Sequence, residues 1–137
     1  MLRAIALSAL VGAAGCASQP AAVPANVTIG APAQLPVPPV AGNNAPPHIL
    51  AMRFSSLDVT RGGTWAGQIV TGTNVASVEV RTNLFSIDVP RTAFGRFAYS
   101  LDVLDAPPIF VRAYRLRVLA RNSAGVVAEE DLPFHIR

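Results

Sequence analysis

From residue 48 to residue 137 the chain is written in a two-residue rhythm, and that rhythm excludes most folds. Seven short runs carry apolar side chains at alternate positions. "HILAMRF" sets Leu50, Met52 and Phe54 on one side, and "TWAGQIVTG" carries Trp65. "NVASVEVR" alternates Ala76, Val78 and Val80 with Ser77, Glu79 and Arg81, and "LFSIDVP" alternates Phe85, Ile87 and Val89 with Ser86 and Asp88. "RFAYSLDV" alternates Phe97, Tyr99, Leu101 and Val103 with Arg96, Ala98, Ser100 and Asp102. "YRLRVLAR" does the same from Tyr114 to Arg121, and "EEDLPFHIR" ends with Leu132, Phe134 and Ile136 on one face. Successive strand side chains point to opposite faces, so each run reads as a strand with one face buried and one wetted. Turn signals separate the runs: "RGG", "TGTN", "RTN", "PRTAFG", "LDAPP" and "NSAG". No segment keeps helical spacing over a helix-length window. Such a chain must stack two sheets.

Short strands separated by turns every 8–12 residues mark a seven-stranded antiparallel immunoglobulin-like β-sandwich. The last two runs sharpen this. In "YRLRVLARNSAG", Tyr114, Val118, Ala120, Asn122 and Gly125 fall in the pattern Y-x-x-x-V-x-A-x-N-x-x-G. That stretch resembles strand F and the F–G turn of fibronectin type III and related bacterial immunoglobulin-like domains. The resemblance implies that Tyr114 is a tyrosine-corner residue, its hydroxyl satisfied by upstream backbone. It also implies that Trp65 lies on strand B in the core. The chain holds one cysteine, so the B–F disulfide of antibody domains is excluded, and no Arg-Gly-Asp tripeptide occurs. This fold hosts many unrelated activities, so function must come from particular residues.

The N-terminus has a different character. Arg3 precedes an uncharged apolar stretch, Ala4–Ala14, and small residues then lead into Cys16. A positive start, a short apolar core and a small-residue site describe an export signal over residues 1–15. The stretch is too short for a membrane span, which needs about 18 apolar residues. "AAGC" directly after that core resembles the lipobox of bacterial lipoproteins, with Ala13 where leucine is commonest. The resemblance implies that signal peptidase II cuts before Cys16 and that the Cys16 sulfur carries a diacylglyceryl group. Two or more acyl chains hold a protein stably at a bilayer where one holds it marginally. The implied location is the bacterial cell envelope, and Ala17 in place of aspartate leans towards an outer membrane. Between the cysteine and the domain, residues 16–47 hold eight of the 12 prolines and no charged residue. Proline fixes φ and removes backbone donors, so this segment is expected to be a disordered linker of coil and polyproline II.

The functional residues are scarcer. All 11 basic residues are arginines, and eight acids leave a net charge of +3. That is too small and too scattered for a nucleic-acid partner. His48 and His135 lie near opposite ends of the domain, without further ligands in register for a metal. Glu129, Glu130 and Asp131 are consecutive, so in a strand they point to alternating faces and form no catalytic pair. No nucleophile with a partnered base, phosphate loop or calcium loop is present, and no enzymatic activity or cofactor is expected. Arg115, Arg117 and Arg121 form a ladder on strand F, with Arg81 on strand C, and these four make a candidate binding face. The same arginines are placed to pair with the strand G carboxylates. The expectation is a non-catalytic, lipid-anchored envelope protein that displays its domain for protein binding, adhesion or envelope assembly. A polysaccharide- or peptidoglycan-binding module and a protease inhibitor presenting "DAPPIFVRA" are the alternatives. An exposed Trp65 would favour the polysaccharide module.

Overall fold

The computed structural model describes residues 22–30, 34–105 and 107–137. These residues form β1 (Val27–Ile29), β2 (Ile49–Phe54), β3 (Asp58–Val59), β4 (Thr64–Thr71), β5 (Val75–Arg81), β6 (Ser86–Val89), β7 (Arg91–Ala93), β8 (Arg96–Asp102), β9 (Arg112–Asn122) and β10 (Val127–Ile136). All seven alternating runs are strands. The short β1, β3 and β7 are additional. Their two or three residues are too few to show a period.

The strands make two five-stranded sheets, in the orders β1-β2-β4-β8-β7 and β3-β10-β9-β5-β6. Strands A, B and E of an immunoglobulin-like sandwich are β2, β4 and β8. Strands C, F and G are β5, β9 and β10. The domain is an immunoglobulin-like β-sandwich. The pairing is antiparallel except at two edges, where β1 joins β2 and β3 joins β10 in parallel. The chain changes sheets between β6 and β7, at Pro90. A proline has no N–H to continue a ladder, so the crossing falls where the ladder ends. Its carbonyl still accepts from Ala98 N–H at 3.1 Å.

The inward positions of both sheets fill one core. Trp65 is its hub at 2% exposure. Its indole packs within 6.1 Å, centroid to centroid, of Phe54, Phe85, Tyr99 and Phe134. Such aromatic pairs contribute about 0.5–1.5 kcal/mol each beyond the area they bury. Trp65 Nε1 donates to Ser56 O at 2.9 Å, so the one polar atom of the indole is satisfied. Gly67 makes room for the neighbouring aromatic. It faces Tyr99 across the β4–β8 pair, and a Cβ there would meet Tyr99 Cε1 at 2.5 Å.

The expectation of a disordered linker up to residue 47 needs correction. Residues 22–30 and 34–47 belong to the folded unit. Ala25–Ala31 is free of proline and contains the β-branched trio Val27-Thr28-Ile29, which extends the first sheet beyond β2. Asn26 Nδ2 donates to Ile49 O at 3.3 Å and to Glu130 Oε1 at 2.8 Å, fastening the new edge to β10 of the other sheet. The proline-rich part docks differently. A proline lacks a donor but keeps its acceptor, and small neighbours keep both. Thr73 N–H donates to Pro39 O at 3.1 Å, Ala41 N–H donates to Thr73 Oγ1 at 2.9 Å, and Asn74 Nδ2 donates to Ala45 O at 2.7 Å. Pro38 packs against Gly95, whose φ of 73° and crowded surroundings both require glycine. Side-chain and loop partners in the domain supply the bonds that residues 34–47 do not make in a ladder.

Candidate functional site

The outward face of β5, β9 and β10 collects most of the charge that the sequence analysis singled out. Register fixes its layout. Arg117 lies between Arg81 and Asp131, and Leu119 lies between Glu79 and Glu129. Arg121 lies between Ser77 and Val127, and Arg115 lies opposite Pro133. Leu119 is only 4% exposed although it faces outward. Long charged side chains bury their stems on such a residue and keep their heads in water.

The heads are paired. Arg115 Nη2 lies 2.9 Å from Asp131 Oδ2, and Arg117 Nε lies 3.5 Å from Glu129 Oε1. Arg121 Nη1 donates to Glu79 Oε2 at 3.0 Å, while Arg81 is looser at 3.9 Å from Glu79 Oε1. Glu79 also accepts from Ser86 Oγ at 2.7 Å. That hydrogen bond and the Arg121 guanidinium hold its carboxyl below the ordinary value. Exposed pairs of this kind are each worth about 0–1 kcal/mol. Their main effect here is to fix an alternating charge pattern on a rigid sheet. All four arginines of the candidate face, Arg81, Arg115, Arg117 and Arg121, therefore share one surface, and the strand G acids Glu129 and Asp131 join them. Glu130 points the other way, to Asn26.

The face continues to the sheet edge. Asp58 on β3 accepts from Arg137 Nε at 2.7 Å, and His135 Nδ1 lies 3.4 Å away. The Arg137 hydrogen bond is the main reason that the Asp58 carboxyl is held below its ordinary value. His135 is thus a partly exposed outward residue beside an acid. His48 is exposed at the start of β2, at the other end of the sandwich. Among the described residues no three His, Cys, Asp or Glu side chains are grouped so as to hold a metal ion.

The charge balance changes at the end of the face near the β5–β6 turn. There a depression of about 1070 Å³ is bordered by Arg81, Arg112, Arg115 and Arg117, with Thr82 and Asn83 also in its lining and, among the described residues, no carboxylate. Arg112 stacks over the Tyr114 ring, its Cζ 5.0 Å from the centroid. Sequence reasoning missed Arg112 because "DAPPIFVRA" reads as a loop. β9 in fact begins at Arg112, two residues before the alternating run. A second, apolar slot of about 310 Å³ opens between Leu84, Leu101 and Leu104 and ends on Trp65.

The remaining singled-out residues organise the frame. Tyr114 donates its hydroxyl to Phe110 O at 2.8 Å, four residues upstream. Asn122 Oδ1 accepts from Ala124 N–H at 3.1 Å and Val126 N–H at 2.9 Å, and its Nδ2 donates to Ala45 O at 3.1 Å. Gly125, with φ 83°, completes that turn in the left-handed region. Trp65 is buried and offers no platform for a sugar ring. Cys16 lies outside the described residues.

No family model and no curated protein sequence matches the chain. Among solved structures, it is similar to a superoxide reductase (neelaredoxin) from Ignicoccus hospitalis, with TM-score 0.43 and 10% identity over 67% of this chain and 80% of that one. It is also similar to fibronectin(III)-like modules of CbhA from Clostridium thermocellum, with TM-score 0.42 and 21% identity over 62% of this chain and 93% of that one. Murine CRIg is a third neighbour, with TM-score 0.34 and 13% identity over 68% of this chain and 98% of that one. The assignment of the fold rests on the strand order and pairing given above.

Proposed function

We propose that the chain is a lipid-anchored protein of the bacterial cell envelope, held through Cys16, that presents its immunoglobulin-like domain to a protein partner. The β5–β9–β10 face is the presented surface. The observation that carries this reading is the ordered lattice of arginines and carboxylates over Leu119. Alternating charges on a rigid sheet give specificity and orientation to a partner of complementary pattern. A largely neutralised lattice suits a protein surface better than a uniform polyanion. The buried Trp65 removes the feature that a polysaccharide-binding reading most needed.

The docked N-terminal segment adds a spatial consequence. Five residues, 17–21, separate the acylated cysteine from the described part of the domain. The six Cα–Cα steps from Cys16 to Ala22 reach at most about 22 Å when fully extended. The domain then sits close to the headgroups, not on a long free stalk, and its partner is another envelope component or a protein that approaches the membrane closely.

Cys16→Ala tests the anchor. The full-length variant is expected to leave the membrane fraction, and globomycin is expected to accumulate the uncleaved form of the unmodified sequence. Unchanged membrane retention together with indifference to globomycin would remove the anchor from the proposal.

A further inference from the structure

The arginine-bordered depression coincides with an interruption in the sheet. β5 pairs with β9 only as far as Arg81 opposite Arg117, whereas β9 extends five residues further, from Leu116 back to Arg112. In an antiparallel ladder, alternate residues direct both backbone groups to one neighbour. Asn122 N–H donates to Val126 O, so the even-numbered residues of β9 serve β10. His135 N–H donates to Leu57 O, away from β9, in agreement with that parity. The odd-numbered residues of β9 serve β5. Beyond Arg81 that neighbour is gone, because Thr82 N–H donates to Phe85 O and the chain turns into β6. The N–H and C=O groups of Ala113 and Arg115 therefore face the depression, and both residues are exposed.

We infer that this depression takes a short extended peptide with acidic side chains, added as a strand alongside the start of β9. An open strand edge supplies main-chain hydrogen bonds to any extended peptide, and its flanking side chains select the sequence. Here two residues offer up to four main-chain bonds. A guest residue opposite Ala113 or Arg115 projects onto the outer face, beside Arg81, Arg115 and Arg117. A carboxylate there meets Arg81, only loosely held by Glu79, and Arg115 and Arg117, whose heads lean on Asp131 and Glu129 outside the lining. A guest residue of the other parity faces inward, towards the Arg112–Tyr114 stack. The preferred guest thus alternates acidic with apolar or aromatic residues over about four positions. A glycan polyanion would satisfy the arginines but would leave the strand edge unused, so the open edge favours a peptide. This deepens the display reading above and rests on it.

The test uses the full chain and a labelled hexapeptide library with Asp or Glu fixed at two alternate positions, against the same library with Lys at those positions. The acidic set is expected to bind at least about tenfold tighter, the scale of one charge-assisted hydrogen bond. N-methylation of the guest amides that face β9 is expected to weaken the best peptide by about another tenfold. R112A and R115A are expected to weaken it, while R96A, on the other sheet, is expected to leave it unchanged. Amide exchange is expected to slow at Ala113 and Arg115 on binding. Absence of acid selectivity would overturn the proposal. Binding that tolerates N-methylation and is matched by heparin oligosaccharides would also overturn it, in favour of a polyanion surface. If the peptides fail while crosslinking from position 121 still captures a protein partner, this site is wrong and the display reading stands.

Discussion

Gly67→Ala perturbs the packing of the core in a way whose size can be worked from the structure. The added Cβ would lie 2.5 Å from Tyr99 Cε1 and 2.8 Å from both Cζ and Oη. Carbon atoms in contact prefer about 3.5–4.0 Å, so the ring must withdraw by roughly 1 Å. It has nowhere to go, because its edge-on partner Trp65 sits 5.1 Å away and is itself held by Phe54, Phe85 and Phe134. Overpacking of this kind costs about 1–3 kcal/mol, and the lower chain entropy of alanine in the unfolded state returns about 0.4–1 kcal/mol. The net expectation is a loss of about 1–2 kcal/mol, or roughly 4–8 °C in Tm for each kcal/mol in a domain near this size. The decisive variant is Gly67→Ala in a Tyr99→Leu background. Leucine lacks the three atoms that collide, so the same substitution should become neutral or mildly stabilising there. Urea unfolding of the wild type, both single variants and the double variant gives the coupling. Equal effects of Gly67→Ala in the two backgrounds would refute the claim that glycine is required by the Tyr99 ring.

Three further variants, at Tyr99, Asn122 and Glu79, have defined outcomes. Tyr99 Oη is buried without a hydrogen-bond partner among the described residues, so Tyr99→Phe should raise stability by about 1 kcal/mol in urea unfolding. Burial pushes the Tyr99 phenol up from its ordinary value of 10.0, so stability held below that pH should fall as pH rises above it, and Tyr99→Phe should flatten the fall. Asn122→Ala removes the acceptor of the Ala124 and Val126 N–H groups and one of the two amide donors to Ala45 O, to which Asn74 Nδ2 still donates. It should cost about 2 kcal/mol and speed amide exchange at both turn residues. Glu79 is held below its ordinary value of 4.5, so its contribution is present above that pH and lost as pH falls through the lowered value. Glu79→Gln should flatten that acid limb in a pH series of thermal unfolding.

The residues that the sequence exposed and those that it hid differ in the range of their interactions. A run such as "NVASVEVR" shows its strand because seven residues suffice to display the period, whereas Asp58-Val59 form β3 only because β10 lies alongside. Glu129 and Asp131 are legible beside the strand F arginines because a tight turn joins β9 to β10, whereas Glu130 alternates to the other face and meets Asn26. The Glu79–Arg121 and Asp58–Arg137 pairs span 42 and 79 residues and depend on the tertiary pairing of strands. The docking of residues 34–47 was hidden for a related reason. Its hydrogen bonds end on Thr73, Asn74 and Asn122, and nothing local in a proline-rich sequence signals them. Arg112 was hidden because the start of β9 is fixed by its pairing with Ile136, not by alternation.

The β5–β9–β10 face is proposed to meet a protein partner in the envelope. In-cell photocrosslinking from single positions on the two outer sheet faces tests it most directly. Probes at Arg115, Arg117 and Arg121 are compared with probes at Arg96 and Ser100 on β8, and adducts are identified by mass spectrometry. One discrete protein adduct is expected from the β9 positions and none from the β8 positions. Adducts only from β8, or the same diffuse pattern from both faces, would contradict it.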